Sequence, residues 1–251
     1  MINLLISGAL GRMGKKVFEA SQNSDKVTAV GGVDIKEDLS NASFPVFADF
    51  NKVNQKIDVL VDFSSPTNLD NVLEFCLSNK IPAVLCATGY TEQQVEKVKA
   101  ASKSIAIFRS GNMSLGVNVL IDLVKKAAAA LYGFDVEIIE KHHNNKVDAP
   151  SGTALMLADA VKDVDSDKFN VYGREGICGK RKEKEIGIHA VRGGNIVGEH
   201  DVIFAGNFET VTLSHQATDR SVFAEGAVKA VIYLADKDSG LYDMNDVING
   251  K

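Results

Sequence analysis

The sequence predicts an α/β protein: a Rossmann-type doubly wound parallel sheet plus a second α+β domain with a mostly antiparallel sheet. Three observations predict this fold class. In the first half, short apolar strands alternate with helical segments, as they do in parallel sheets built from βα units. A glycine-rich turn at residues 8–14 follows the first of these strands. From residue 186 onward, strands follow one another with little helix between them, and threonines alternate with apolar residues at 210–213.

Composition limits the classes of function to consider. The chain has 251 residues, 45% hydrophobic and 24% charged, as in soluble globular proteins. A net charge of -5 gives no reason to expect nucleic-acid or membrane-surface binding. The three cysteines are far apart and lack the CxxC spacing, so neither a disulfide framework nor a metal site is expected. The first residues lack a basic segment and no apolar run approaches the ~20 residues of a membrane span. We therefore expect a cytoplasmic protein.

The glycine turn indicates a nucleotide site, although weakly. The apolar strand at residues 2–6 leads into the turn, GALGRMG, and then into a helix that should bury Val17 and Phe18. A strand, a glycine turn and a helix form the context in which a backbone can approach a pyrophosphate at a helix N-terminus. The spacing is GxxGxxG, however, and not the commoner GxGxxG. A tight turn required only for packing would explain these glycines nearly as well.

An acidic residue strengthens the nucleotide interpretation. The next predicted strand, 27–33, ends at Asp34, which lies 20 residues after Gly14. An acid at about this distance from the turn accepts hydrogen bonds from the ribose hydroxyls of a dinucleotide. Asp34 could merely end a strand, but the two matched features together favour the ribose contact.

The βα alternation continues through predicted strands at 57–63, 82–86 and 105–108. A helix should begin at Ser65–Pro66, and a capping box of Thr91 and Gln94 should begin another. The first of these helices carries one apolar stripe formed by Leu69, Val72, Leu73, Cys76 and Leu77. Ligands in such sheets bind beyond the carboxyl ends of the strands, so we expect a ligand near Phe63, 87–88 and 110–113.

The second half predicts a different architecture. A helix at 114–131 and a strand at 135–140 precede the stretch 140–154; the glycine-rich, basic residues 172–185 suggest a mobile, solvated loop. Strands are predicted at 186–191, 195–205 and 208–216, and a helix at 220–235. We expect a dinucleotide-binding domain formed by residues 1–113 and 220–251, with residues 114–219 as the second domain.

Residues 140–154, EKHHNNKVDAPSGTA, form the stretch with the most chemistry. His142 and His143 can exchange protons near neutral pH, and Lys146 adds a cation and an acid. Ser151 should cap a helix whose first residues, 152–153, could hold a carboxylate or phosphate with their N–H groups. Taken alone, a histidine pair in a polar loop is more often solvated surface than active site.

Together these residues resemble the 4-hydroxy-tetrahydrodipicolinate reductase (dihydrodipicolinate reductase) family, over nearly the whole chain. The matching segments are 8–14, 62–63, 87–89, 112–118, 194–201, 214–220, 240–244 and, above all, 140–153. Members are nicotinamide-dependent enzymes of bacterial diaminopimelate and lysine synthesis. The resemblance implies reduction of a cyclic dicarboxylate by NADH or NADPH, and a homotetramer formed through the C-terminal sheet.

The resemblance also implies a role for each matching residue. The pyrophosphate side of the cofactor would be held by Gly8, Ala9, Leu10, Gly11, Arg12 and Met13. The adenosine ribose would be held by Asp34; Lys36, two residues further on, is a candidate contact from its position alone. The nicotinamide side would be lined by Phe63, Cys86, Ala87, Thr88, Ser110, Gly111, Asn112 and Met113. The substrate would be bound by His143, Ser151, Gly152 and Thr153. The acid–base pair would be His142 and Lys146, either of which could deliver the proton.

Two departures from the family pattern concern the cofactor. Cys86 and Ala87 stand where members often have glycine and threonine, and Ile35 stands where some have arginine. Asp34 should repel the 2′-phosphate of NADPH, whereas Arg12 and Lys36 could reach it. Exposed ion pairs are typically worth under ~1 kcal/mol, and tenfold in affinity requires ~1.4 kcal/mol. We therefore expect both cofactors to be used, with kcat/KM values within roughly tenfold.

Two other classes of protein could share such a nucleotide domain. One is a related amino-acid or semialdehyde dehydrogenase, and the other is a non-catalytic nucleotide sensor or scaffold. A sensor has no need for His142 and Lys146 beside an anion-binding helix start, so the sequence favours an enzyme.

Overall fold

The computed structural model describes residues 1–35 and 44–250, and the chain divides into two compact units. The first comprises Met1–Leu115 and Arg220–Lys251, and the second comprises Gly116–Asp219. Within the described part of the chain, no helix is both long enough and apolar enough to cross a bilayer.

The described residues form twelve strands and seven α-helices. The elements up to residue 113 are β1 (Ile2–Ser7), α1 (Arg12–Gln22), β2 (Val27–Val33), β3 (Val46–Phe47), β4 (Val59–Asp62), α2 (Leu69–Asn79), β5 (Ala83–Leu85), α3 (Glu92–Ala101) and β6 (Ala106–Arg109). The next are α4 (Leu115–Ala130), β7 (Asp135–His142), α5 (Gly152–Lys162), β8 (Phe169–Tyr172), β9 (Glu185–Arg192), β10 (Gly198–Ala205) and β11 (Thr210–Ala217). The last are α6 (Ser221–Leu234), β12 (Gly240–Tyr242) and α7 (Met244–Asn249).

The first unit contains a seven-stranded sheet in the order β12-β6-β5-β4-β1-β2-β3. Every pairing in it is parallel. One hydrophobic core joins the sheet to α1, α6 and α7, and a second joins it to α2 and α3. Helices therefore cover both faces, as a parallel sheet of apolar strands requires. The predicted Rossmann-type fold is confirmed.

The helix starts predicted from the sequence in this unit can be compared with the observed ones. The Thr91–Gln94 capping box at the start of α3 is confirmed. Ser65 caps a 3-10 turn, Pro66–Asn68, and α2 begins only at Leu69, so the predicted helix start was early. Four residues of the apolar stripe on α2 are buried, whereas Leu77, on the last turn, is 38% exposed.

The second unit contains a mixed five-stranded sheet in the order β11-β10-β7-β9-β8. β10 pairs antiparallel with β7 and β11, whereas β9 pairs parallel with β7 and β8. Helices α4 and α5 pack on one face through a core that includes Ile138, Leu157 and Phe204. The predicted alternation in β11 is confirmed, since Val211 and Leu213 pack against this core.

The basic loop differs from its prediction in two respects. Strand β8 was missed, because it has no alternation of buried and exposed residues. The expectation of solvated basic side chains was wrong for Arg174 and Arg181, since both bind Glu137 on β7. Strand β9 carries Gly187 opposite Glu137, and a Cβ there would lie 1.8 Å from the carboxylate oxygen Oε2. Glycine therefore leaves the space that this carboxylate occupies.

Candidate functional site

The glycine turn between β1 and α1 is tight for steric reasons. Gly8 has φ +76°, and a Cβ there would lie 2.9 Å from the carbonyl carbon of Phe63. A Cβ on Gly14 would lie 2.2 Å from the carbonyl oxygen of Gly8. The packing explanation that the sequence left open therefore applies to both glycines. The turn also meets the requirement for anion binding, because Gly11 precedes α1 without a side-chain cap for its first N–H groups.

Asp34 joins this turn to the end of β2. It is only 8% exposed, and its Oδ2 accepts a hydrogen bond of 2.8 Å from the backbone N–H of Leu10. The carboxylate therefore fixes the turn as well as standing where a ribose contact was predicted.

A cavity of about 700 Å³ opens beside Asp34 in the first unit. Four residues of the predicted cofactor set line it: Gly8, Gly11, Asp34 and Phe63. Its far wall includes Ile35, Asn71, Phe75 and the carboxylates Asp49 and Glu74. The described lining residues include three acids and neither lysine nor arginine. Arg12 is exposed, and Lys36 falls outside the described residues.

The other predicted cofactor residues that the structure describes follow β1, β5 and β6 at the same carboxyl edge of the sheet, outside the lining of this cavity. Cys86, Ala87 and Thr88 follow β5, and residues 110–113 follow β6. The side chains of Ala9, Cys86 and Met113 are buried in the core, so these residues could offer a cofactor little beyond their backbone groups. Met13 is partly buried and packs against the same core. Burial raises the pKa of the Cys86 thiol well above its ordinary value. Ser110 donates to the carbonyl of Asn112 at 2.7 Å, which stabilises the turn after β6.

Asp62 is a buried acid at this edge to which the sequence assigned no role. It ends β4, and its Oδ1 accepts hydrogen bonds from the backbone N–H and hydroxyl of Ser64, which lines the cavity. Burial raises the pKa of Asp62 above its ordinary value. The carboxyl group therefore positions Ser64 in the cavity wall without lining the cavity itself.

In the second unit, β7 presents alternate residues to the buried face, so Glu140 and His142 lie on the same side. Nδ1 of His142 lies 2.6 Å from Oε2 of Glu140. Glu140 is wholly buried and also accepts two hydrogen bonds of 2.7 Å from the guanidinium of Arg192, at the end of β9. The backbone N–H of Ser151 donates to it at 2.9 Å. One carboxylate thus connects two strands and the start of α5.

These contacts set the charges of the acid and the imidazole. Burial alone would raise the pKa of Glu140, but hydrogen bonds from Arg192, His142 and Ser151 outweigh it and hold the pKa below its ordinary value. Burial lowers the pKa of His142, and Glu140 offsets only part of that effect. At neutral pH the pair is therefore a carboxylate and a neutral imidazole.

Lys146 lies in the loop between β7 and α5. Its ammonium is 2.8 Å from Oδ1 of Asp148, and its side chain is 19% exposed. Its backbone N–H donates to the carbonyl of His143 at 3.1 Å, so a turn joins these two predicted site residues. Later in the loop, the Ala149–Pro150 peptide bond is cis.

The start of α5 is capped as predicted. The hydroxyl of Ser151 accepts from the N–H of Ala154 at 3.2 Å and lies 3.0 Å from Nε2 of His200. Ser151 is 2% exposed, and both its N–H and its hydroxyl are engaged within the protein. Through these contacts Ser151 positions the start of α5, and its predicted substrate contact stays a prediction. Gly152 is exposed, and a Cβ there would meet nothing within 4 Å, so the helix start is open at that residue.

Comparisons with known proteins decide the family. The model described as dihydrodipicolinate reductase, N-terminus, matches residues 2–113, and its C-terminal counterpart matches residues 116–248. The chain belongs to the dihydrodipicolinate reductase family. A 4-hydroxy-tetrahydrodipicolinate reductase from Caldanaerobacter subterraneus is 51% identical over 99% of this chain and 98% of the relative. One from Clostridium tetani is 46% identical, with coverage of 99% and 98%.

A solved structure supports the fold of this family. The dipicolinate-bound dihydrodipicolinate reductase from Paenisporosarcina sp. TG-14 matches with a TM-score of 0.82 and 26% identity, over 98% of this chain and 99% of that one. A probable dehydrogenase from Thermotoga maritima, with a TM-score of 0.62 and 11% identity, shares the fold alone; it covers 100% of this chain and 90% of that one.

Three residues near the family's histidine stretch were not predicted as site residues; Glu140 and His200 are buried, and Arg192 is half-buried. Glu140 lay within the quoted stretch, but no role was assigned to it. In the strand register, Arg192 on β9 lies opposite His142 on β7, and His200 on β10 lies opposite Glu140 on β7. The alternation of β7 was a usable signal for Glu140, since an acid at a core-facing position requires a partner. No local signal could identify Arg192, which is 52 residues away.

Proposed function

We propose that this chain reduces 4-hydroxy-tetrahydrodipicolinate to tetrahydrodipicolinate with a hydride from NADH or NADPH, in diaminopimelate and lysine synthesis. The observation that carries the proposal is the buried His142 at the end of β7, followed in one loop by Lys146 and the open start of α5. Family membership supports the same reaction. The solved relative is described with dipicolinate, a ring dicarboxylate, and such a ligand suits an anion-binding helix start.

The first unit would hold the cofactor, which supplies hydride when bound. The uncapped start of α1 suits a pyrophosphate, and the buried Asp34 suits a ribose hydroxyl. The cavity of about 700 Å³ beside Asp34 is large enough for an adenosine. Phe63, Thr88 and Asn112 would lie nearer the nicotinamide, because they follow β4, β5 and β6 at the sheet's carboxyl edge.

The second unit would bind the substrate and supply the proton. The N–H groups of Gly152 and Thr153 at the start of α5 would bind a carboxylate, together with His143. Negative charge develops through the ring as hydride arrives at C4, so a nearby acid must deliver a proton. His142 would do this from its imidazolium form, and Lys146 from its ammonium form. A bound dicarboxylate favours protonation of His142, which is neutral in the free protein.

We also propose that the chain is a cytoplasmic homotetramer formed through the five-stranded sheet. Helices α4 and α5 cover one face of that sheet, whereas Ile139 and Ile203 point to the other face and do not belong to the core. That face is more polar than the sequence suggested, since Lys141 forms ion pairs with Glu199 and Asp201 on it. A species of about 27 kDa, the mass of one chain, in light scattering at micromolar concentration would contradict the tetramer.

The deciding experiment is a spectrophotometric assay. Oxidation of NADH and of NADPH is followed with substrate freshly generated by the preceding pathway enzyme. Turnover that requires this substrate supports the proposal. Oxidation of the reduced cofactor with an amino acid's imine, or reduction of NAD+ or NADP+ with a semialdehyde, and no turnover of the cyclic substrate, would favour a related dehydrogenase. Cofactor binding without turnover of any of these would favour a sensor.

A further inference from the structure

The carboxylate of Glu140 accepts four hydrogen bonds, two on each oxygen. Oε2 is 2.6 Å from Nδ1 of His142 and 2.7 Å from one Arg192 nitrogen. Oε1 accepts from the other Arg192 nitrogen at 2.7 Å and from the Ser151 N–H at 2.9 Å. A buried carboxylate is tolerated only when its oxygens are satisfied in this way. The surrounding residues therefore stabilise the negative charge of Glu140.

The contact with His142 determines which ring nitrogen carries hydrogen. An ionised carboxylate can only accept hydrogen bonds, so Nδ1 must be the donor at 2.6 Å. This holds for the neutral ring and for the imidazolium. The proton that the ring gains or loses is then the one on Nε2.

We propose that Glu140 and Arg192 are positioning residues that fix His142 as the Nδ1–H tautomer, so that the ring exchanges its proton only through Nε2. This proposal rests on the proposed function where it concerns catalysis, since His142 is there a candidate proton donor. A paired carboxylate that fixes a histidine's tautomer and orientation is a general device of acid–base catalysis.

Arg192 is needed because a buried acid without a cation would take up a proton. A protonated Glu140 could itself donate to Nδ1 and so reverse the tautomer. The hydrogen bonds from Arg192 contribute most to keeping the pKa of Glu140 below its ordinary value despite burial. The same guanidinium donates to the carbonyl of Asp148 at 2.7 Å, which ties the carboxylate to the loop of Lys146.

The surroundings of Nε2 suit proton exchange. A Cβ on residue 198 would lie 3.1 Å from Nε2, so Gly198 keeps that side of the nitrogen clear. The charged and titratable groups facing the ring are Glu140 on its own strand, Arg192 on β9, Lys146 in the loop and His200 on β10. Burial lowers the pKa of His200 to about 4, so that ring is neutral. Lys146 and Arg192 oppose protonation of His142, and Glu140 is the group that favours it.

The test is nitrogen-15 NMR of the histidine rings, with His142→Asn used to assign the signals. In the wild type, Nδ1 of His142 should carry the hydrogen in the neutral ring. Glu140→Gln offers a carboxamide N–H in place of the acceptor oxygen, so the neutral ring should change to the Nε2–H form. The pKa of His142 should also fall, because the anion beside it is gone.

Kinetics provide the second readout. Glu140→Gln should lower kcat by about 10²-fold or more, the usual contribution of a positioned acid, with little change in KM. The limb of the kcat–pH profile that reports His142 should move to lower pH. Arg192→Lys keeps the charge but loses the bidentate geometry. Arg192→Lys should retain the Nδ1–H tautomer and lose less than about tenfold in kcat. If Glu140→Gln does not fold, this variant replaces it in the test, and a change to the Nε2–H tautomer would then contradict the proposal.

Glu137→Gln is the matched control. Glu137 lies on the same strand, facing the opposite side, and its carboxylate is likewise bound by arginines and by Nε2 of His189 at 2.8 Å. This change should leave the His142 tautomer and the position of the pH profile as in the wild type. An Nδ1 without hydrogen in the wild type would overturn the proposal, as would an unchanged tautomer in folded Glu140→Gln. The expected tautomer change in a protein that reduces no substrate would support the positioning role and contradict the proposed function.

Discussion

Replacing Asp34 by asparagine should shift cofactor choice from NADH toward NADPH. Asparagine keeps an oxygen that can accept the 2.8 Å hydrogen bond from the N–H of Leu10, so the glycine turn should keep its shape. The substitution removes the negative charge and replaces the other acceptor oxygen with an NH2 donor.

The magnitude follows from the burial of Asp34. Two unit charges about 4 Å apart interact by about 1 kcal/mol in water and about 4 kcal/mol near a protein surface. Asp34 is 8% exposed but borders an open cavity, so we take about 2 kcal/mol for its repulsion of a 2′-phosphate, which is about thirtyfold. A hydrogen bond from a ribose hydroxyl weakens by about 1 kcal/mol when its charged acceptor becomes neutral. This loss lowers kcat/KM for NADH about fivefold. The NADPH-to-NADH ratio of kcat/KM should therefore rise about 150-fold.

The assay measures kcat/KM with each cofactor at one fixed ionic strength, because salt screens such charges. The control is Asp49→Asn, since Asp49 lines the same cavity but has a side chain that is 46% exposed. An exposed charge is worth under about 1 kcal/mol, so the ratio should change less than about fivefold. If Asp34→Asn weakened both cofactors equally, Asp34 would serve the turn through Leu10 and not the ribose.

Three further outcomes are expected. Lys146→Ala should lower kcat by about 10²-fold or more while fluorescence titration shows near-normal cofactor binding, and near-normal turnover would exclude Lys146 as the proton donor. Gly14→Ala should lower the free energy of unfolding by about 1–3 kcal/mol in urea denaturation, because its Cβ would lie 2.2 Å from the carbonyl oxygen of Gly8; an unchanged stability would show that α1 shifts freely. Burial raises the pKa of Glu137, but hydrogen bonds from arginines and a histidine lower it further, from 4.5 to about 2. The carboxylate therefore contributes up to about 3 kcal/mol above pH 4.5, and the stability difference between wild type and Glu137→Gln should shrink as pH falls toward 2; a difference independent of pH would refute this.

Sequence signals succeeded where the determining interactions are local. The caps at Thr91 and Ser151 each involve residues three apart, and strand β2 was predicted with its observed bounds. They failed where a role depends on a distant partner. Arg192 reaches Glu140 only through the pairing of β7 with β9, and no pattern near either residue predicts that pairing.

The role of Ser151 shows a second limit. A sequence can identify a capping residue, but it does not show whether other groups already occupy that residue's N–H and hydroxyl. Here Glu140 and His200 occupy them, and the prediction of a substrate contact did not include those partners.

The order of the chain has a consequence for how the protein is made. One core of the seven-stranded sheet contains Ala224, Ala227, Val231 and Leu234, all from α6. These residues follow the second unit, so a ribosome must synthesise the whole of Gly116–Asp219 before that core can close. The second unit draws its own core from residues already made by that point, and chains fold by domains as they emerge. Translation that stops just after residue 219 would therefore leave a completed second unit joined to a parallel sheet without α6 and α7. The apolar face that these helices share with α1 would then be only partly covered, and such a form is prone to aggregation.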